Sequence, residues 1–334
     1  MYRRLVRSLV VVLVASFLFA AEMLPVVGQQ APPATLGAPV AQVTPAGQGA
    51  QAQTQLGQPR QAVAPVNPLG PPFQLTPVEK QFVNQILMMW ENESAKINTF
   101  DCQFERWEYN AVWGPNKNIP LVKSEGRLTY SKPDKGSFKI EEMRHWKKID
   151  PNQPGPEPCE WVTKKDEVGE HWVCDGKSVY QYDHSKKQLV VVPIPPNMRG
   201  AAIVDGPLPF LFGAKAKKLN ERYWIRSKQG EANTIWLEAY PRRQADAANY
   251  HHVDIMLERK TMQPTALRVH EPNGQSTAVY MFKKPTVNGT MNKLFGSLFN
   301  APRTPFGWKR VVQQVPAGAQ AGPQAAQPQG TQQR

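Results

Sequence analysis

The chain has 334 residues, of which 41% are hydrophobic and 20% charged, and its formal net charge is +13. The length would serve two domains, but the composition is uneven, and only the middle of the chain has the apolar bulk to bury a core. The basic excess suits an anionic envelope component such as a lipid headgroup or an acidic polysaccharide, or serves solubility alone; a nucleic acid partner is not expected.

Residues 1–28 read as a secretory signal. Arg3, Arg4 and Arg7 precede a run of twelve residues, Leu9 to Ala20, that is apolar but for Ser16. This run is shorter than the roughly 20 residues that span a bilayer, and the pattern is that of a signal peptide. Cleavage after Gly28 or near Ala20–Ala21 exports the rest to the periplasm or cell envelope; left uncleaved, the segment is an anchor. Residues 29–75 are dominated by Pro, Gln, Ala and Gly, with Arg60 as the only charge, which predicts a disordered spacer. Residues 313–334 have the same composition and are expected to form a disordered tail. Residues 76–312 remain as one domain.

The domain opens with Thr76-Pro77-Val78-Glu79, a capping box with Pro at the first helical position. Phe82, Ile86, Met89, Trp90 and Ile97 follow at helical spacing, predicting one apolar face and a helix ending near Asn98. Phe100, Cys102 and Phe104 then alternate with polar residues, and a change of phase to Trp107 and Tyr109 predicts a bulge or a twist at Arg106. Further strands are expected at Leu121–Tyr130, Ser137–Met143, Trp161–Val162, His171–Cys174, Ser178–Tyr182 and Gln188–Val192, with Asp175-Gly176 as a tight turn. Met198–Val204 and Gly206–Gly213 are apolar and fenced by Gly and Pro, and with Ala214–Leu219 they read as helical or irregular. Strands resume at Tyr223–Ser227, Thr234–Tyr240, His252–Leu257, Thr265–His270 and Thr277–Phe282, with a turn at Pro272–Gln275. Without βαβ alternation a parallel sheet is disfavoured. The expected fold is mainly β (α+β): a strongly curved antiparallel sheet, or unclosed β-barrel, with an N-terminal helix and a mid-chain helical lid.

Catalytic signatures are missing. No GxSxG, P-loop or GxGxxG occurs, no cofactor is implied, and neither His171 nor His184 stands in a nucleophile–base arrangement. His252 and Asp254 share one side of a strand, but His251 points to the other and no third ligand is evident, so no metal site is expected. Of three cysteines, Cys159 and Cys174 flank an excursion and could pair, whereas Cys102 reads as a buried thiol. Aromatic residues are spread along the strands. They fill a core, or they line a greasy hollow under a curved sheet.

Several segments, in this order, resemble the bacterial lipoprotein-carrier family (LolA/LolB-like). Phe100–Phe104 looks like the family's first strand, and Gly126-Arg127-Leu128-Thr129-Tyr130-Ser131-Lys132-Pro133-Asp134 resembles its Gly-x-Leu-x-x-x-Arg-Pro-Asn stretch. Cys174–Asp183 is similar to its SDGKTLWFYDP hairpin, and Leu208–Phe212 falls at its mid-chain helical segment. Leu257–Pro264 resembles D-x-K-T-G-L-P, and Phe299 with Pro305–Trp308 resembles the closing F-x-x-x-P-x-G. The resemblance runs from about Phe82 to Trp308, with the 144–169 excursion as an addition. It implies a non-enzymatic protein that binds lipid or lipoprotein acyl chains in an apolar cavity. The residues expected to line it are Phe82, Ile86, Leu128, Tyr130, Tyr180, Val191, Phe210, Phe212, Leu257 and Val279. Lys132 stands at the family's lid-latching Arg. The alternative is an envelope module that reuses the fold, gripping polysaccharide or another exported protein through surface aromatics and Lys/Arg.

Overall fold

A computed structural model describes residues 70–150, 152, 154–164, 167–200, 210–211, 215–289 and 298–313. The leader, nearly all of the spacer and tail, and most of the mid-chain apolar segment expected as a lid lie outside these residues.

Helix α1 spans Pro77–Ala95. The Thr76 hydroxyl accepts from the Glu79 amide at 3.3 Å, and Glu79 Oε2 accepts from the Thr76 amide at 2.8 Å, so the capping box forms as its sequence dictates. Its buried face is Val83, Ile86, Leu87, Trp90 and Ser94. The expected apolar face was rotated from this one: Phe82 and Met89 are 47% and 50% exposed. Both faces carry apolar residues at helical spacing, and periodicity cannot choose between them.

Thirteen strands follow among the described residues: β1 (Thr99–Asn110), β2 (Val122–Ser131), β3 (Lys135–Lys148), β4 (Cys159–Val162), β5 (His171–Asp175), β6 (Ser178–Asp183), β7 (Gln188–Pro193), β8 (Tyr223–Lys228), β9 (Thr234–Pro241), β10 (His252–Glu258), β11 (Pro264–His270), β12 (Ser276–Val287) and β13 (Lys309–Val312). They form one sheet in the order β13-β7-β6-β5-β3-β2-β1-β12-β11-β10-β9-β8, with β4 beside β3. The order runs from β13 to β8 without joining them, so the curved sheet is unclosed. β1 and β12 weld the two halves through ten paired positions from Phe100↔Val287 to Asn110↔Ser276. The sheet is antiparallel except at one edge, where β13 pairs with β7 in parallel. Short helices α2 (Ala216–Arg222) and α3 (Gln244–Ala247) flank β8 and β9, and α1 packs against β8 and α2.

Turn chemistry follows the sequence closely. At Asp175-Gly176, Gly176 takes φ +85° and Asp175 Oδ1 accepts the amides of Lys177 and Ser178 at 2.7 and 2.8 Å. Gly126 of β2 serves close packing: a Cβ there would stand 2.3 Å from the Lys139 carbonyl oxygen and 2.6 Å from the Phe104 ring.

Two expectations need correction. No bulge interrupts β1 at Arg106. Phe100, Cys102, Phe104 and Arg106 all point inward, and the irregularity lies between Asp101 and Gln103 opposite β12. The aromatic Trp107 and Tyr109 suggested an inward phase that the buried Arg106 takes instead. Cys159 and Cys174 do not pair. Cys174 is fully buried in β5, with its thiol donating to the Asp134 carbonyl at 3.1 Å, while Cys159 lies half-buried on β4.

Candidate functional site

Directly paired residues of adjacent strands share a face, so the register sorts the expected lining residues. Leu128 pairs with Cys102 and Phe138, and Leu257 with Ile235. With Ile86, Tyr130 and Phe210 they belong to one buried apolar cluster on the inner face, under α1. The Tyr130 hydroxyl donates to the Pro133 carbonyl at 3.3 Å, and burial, aided by Asp134, pushes its pKa up to about 12. Rings stack across the cluster, with Phe104 4.7 Å from Phe138 and Phe138 5.9 Å from Trp172.

Of the other five expected residues, the four that are described lie elsewhere. Tyr180 and Val191 pair with each other and form a separate cluster with Leu189 on the opposite face, beside Tyr182. Their neighbours Val179 and Val192 are the ones that enter the main core. Val279 pairs with Trp107 and Arg268 on the outer face, and Tyr280 takes the inward position. Each of these is a shift of one residue, which moves a side chain through the sheet. Phe82 is exposed on α1, and Phe212 is outside the described residues. The pairing Cys174↔Val179, set by the Asp175-Gly176 turn, was the signal that could have placed Val179 inward.

At one end the inner face becomes ionic. Arg106 is 4% exposed. It donates to Glu170 Oε1 at 2.7 Å and lies 2.5 Å from Glu108 Oε1. Burial opposes the guanidinium charge, but the two carboxylates outweigh it and hold its pKa above the ordinary value. The Glu108 carboxyl is raised, first by burial and further by Glu170 and Glu167, against the pull of Arg106. Tyr280 is raised as well, mainly by burial. The apolar inner face is thus bounded by an ion-paired trio that the expected phase change had concealed.

Lys132 reaches the cover. Its Nζ donates to the Ala95 carbonyl at 3.2 Å, at the C-terminal end of α1, where a positive charge meets the helix dipole. Asn288, at the end of β12 with φ +52°, donates to the Lys96 carbonyl at 2.8 Å and accepts the amides of Asn98 and Thr99 at 2.7 and 3.1 Å. From the other side, Glu91 Oε2 accepts the Ala216 amide at 2.9 Å, and Asn84 accepts from Asn220 at 3.0 Å. A few polar contacts therefore tie α1 to β12, α2 and the β2–β3 turn. The latch expected to act on a mid-chain lid touches the N-terminal helix.

The outer face carries a different chemistry. Lys123 sits 3.4 Å above the Trp161 ring and 5.7 Å from that of Trp107. The rings of His252 and His270 stack at 3.8 Å, with Tyr240 stacked on His252 at 4.7 Å. The sequence offered no third partner for His252 and Asp254. Pairing of His252 with His270 across β10 and β11 supplies it, a relation that only register reveals.

Residues 161–297 match the family model described as "Outer membrane lipoprotein carrier protein LolA". This part of the chain is similar to the LolA family. This stretch runs from the end of β4 through β12, so α1 and β1–β3 precede it. No curated protein matches. Among solved structures, the chain is similar to an uncharacterised conserved protein from Thermus thermophilus, at 10% identity and TM-score 0.36 over 69% of this chain and 99% of that one. It is also similar to a LolA superfamily protein from Nitrosomonas europaea, at 9% identity and TM-score 0.31 over 63% and 96%. A third similarity is to a structure of the CwlD amidase from Clostridioides difficile in complex with the GerS lipoprotein, at 16% identity and TM-score 0.24 over 65% and 96%. Among the described residues no helix is long and apolar enough to cross a membrane.

Proposed function

We propose that this LolA-like chain is a non-catalytic exported binding protein that shelters acyl chains of a lipid or lipoprotein between the inner face of its sheet and α1. The observation that carries the reading is the one-sided apolar cluster of the unclosed sheet, in a chain whose residues 161–297 match the LolA model. Each methylene moved from water to such a face gains about 0.8 kcal/mol, so a protein interior competes with a membrane for an acyl chain.

Leu87, Trp90, Phe104, Phe138 and Trp172 are at most 2% exposed. An acyl chain therefore enters by displacing the cover, and α1 is the element to move. Its tether through Lys132 is a single hydrogen bond from a flexible ammonium, which costs less to release than a forked guanidinium contact. Ile86, Leu128, Tyr130, Phe210 and Leu257 are the contacts proposed for the bound chain, and Lys132 is the proposed latch.

Native mass spectrometry of the full chain purified from the periplasm tests this, together with titration of cis-parinaric acid as an acyl probe. Lipid adducts, and probe binding tightened or weakened at least threefold by Lys132→Met, are expected. An apo mass combined with no probe binding overturns the proposal.

A second reading has its own observation. Trp113 is 60% exposed, and Trp107, Lys123 and Trp161 cluster on the outer face, an arrangement suited to polysaccharide or to another exported protein. It predicts loss of binding in Trp113→Ala with the acyl probe unaffected.

A further inference from the structure

We propose that His252, Asp254 and His270 form a binding site for one divalent transition-metal ion of the zinc type, on the outer face of the sheet where β10 meets β11. One ligand atom from each residue lies within 4.8 Å of the others. Two imidazoles and one carboxylate are a donor set that zinc accepts, and tetrahedral zinc with bonds of about 2.0–2.1 Å holds its ligand atoms roughly 3.4 Å apart. Closing on an ion thus takes about an ångström of side-chain movement, chiefly a splaying of the stacked rings.

A second observation points to a missing cation. Asp254 is 5% exposed, yet its Oδ1 has no hydrogen-bond partner. Its Oδ2 is 3.2 Å from His270 Nε2 and 3.9 Å from an Arg268 nitrogen. A buried carboxylate oxygen without a partner is costly, and an ion beside it removes that cost. The proton between His270 Nε2 and Asp254 is the one the ion would displace.

The neighbouring groups prepare the donors. His251 Nδ1 and His252 Nδ1 are 2.8 Å apart, which engages that nitrogen of His252 and makes Nε2 the one to turn to the ion. Thr277 Oγ1 stands 3.4 Å from His270 Nδ1, an outer contact that orients the second ring. Opposite Asp254 on β9, Glu238 is already committed to Arg226 at 2.5 Å and to Lys228, and so does not compete for the ion. His252 and His270 are both half-buried, so the remaining coordination positions face solvent and are open to water or to a donor from another molecule. The site lies on the face opposite the apolar core and stands whether or not acyl chains bind.

Calorimetric titration of the purified full chain with Zn²⁺ tests this. One ion is expected to bind with micromolar or tighter affinity, weakened at least tenfold by His270→Gln and by Asp254→Asn and unchanged by His184→Ala. Co²⁺ in place of Zn²⁺ should give the visible absorption of a low-symmetry four-coordinate site, and His270→Gln should abolish it. Wild-type protein that binds no zinc at micromolar concentration overturns the proposal. So does binding that survives both ligand substitutions, or that His184→Ala removes.

Discussion

Arg106→Met removes the cation from a buried carboxylate pair. In the native chain the guanidinium is 2.7 Å from Glu170 and 2.5 Å from Glu108, and 4% of the residue is exposed. Met fills much of the same volume, so the loss is electrostatic. Breaking a buried pair by deleting one partner costs roughly 3–5 kcal/mol, a large share of the 5–15 kcal/mol that typically holds a domain together. Part is recovered when Glu108, already raised by burial, takes up a proton. A carboxyl whose folded pKa exceeds its unfolded value contributes stability at low pH that is lost as pH rises through the folded pKa. The variant should therefore be closer to wild type at pH 5 than at pH 8. Urea unfolding followed by tryptophan fluorescence at both pH values measures this. The triple variant Arg106→Met/Glu108→Gln/Glu170→Gln should regain most of the loss, because no uncompensated charge remains. A loss below about 1 kcal/mol for Arg106→Met, or an equal loss when both carboxylates are already neutral, would refute the reasoning.

The two apolar faces of α1 should separate on mutation. Trp90→Ala, at 1% exposure, should cost about 3–5 kcal/mol, while Phe82→Ala, at 47%, should cost less than about 1 kcal/mol; equal losses in thermal unfolding would reverse the assignment. Gly126→Ala puts a methyl group against a backbone oxygen and the Phe104 ring, and overpacking of this kind costs about 1–3 kcal/mol, read as a lower urea midpoint with an unchanged slope. His171, stacked 4.1 Å from Tyr182, is lowered to about 4 by burial, by Lys139 and by His184. Below pH 6.5 the unfolded chain takes a proton that the folded chain refuses, so stability should fall between pH 6.5 and 4. Discounted for solvent, the share is about 1 kcal/mol, and it should vanish in His171→Gln; an NMR titration of His171 near 6.5 would contradict this.

Local signals were legible wherever one short segment decides the structure. The capping box fixed the start of α1, Asp175-Gly176 fixed the β5–β6 hairpin, and alternation and strand-like segments located every described strand but β13. Relations between segments were not legible. Whether Tyr180 or Val179 faces inward depends on which strand lies beside it and in what register, and both are apolar. The same ambiguity hid Tyr280 behind Val279 and Val192 behind Val191. Arg106 was misjudged because charged residues are rarely buried, and its partner Glu170 lies 64 positions away. His270 was missed as a neighbour of His252 for the same reason. β13 is four residues long and pairs in parallel with β7, far from it in sequence, so neither period nor turn announced it.

The ionic trio constrains how a greasy ligand would lie. Along β1 the apolar inner face runs from Phe100 to Phe104 before Arg106 closes it, and at about 3.3 Å per residue that is roughly 13 Å. Across the strands, the cluster continues from Val192 on β7 to Ile225 on β8. This is ten strand spacings of about 4.8 Å, or roughly 48 Å along the curve. The 19 residues of α1 make a helix about 28 Å long, a little over half of the second dimension and twice the first. An acyl chain laid along a strand would meet Arg106, Glu108 and Glu170 within a few methylenes, whereas one laid across the strands meets only apolar residues. On the proposed acyl-binding function, binding would favour the transverse direction, with the polar end of the ligand at an open edge of the sheet, β8 or β13.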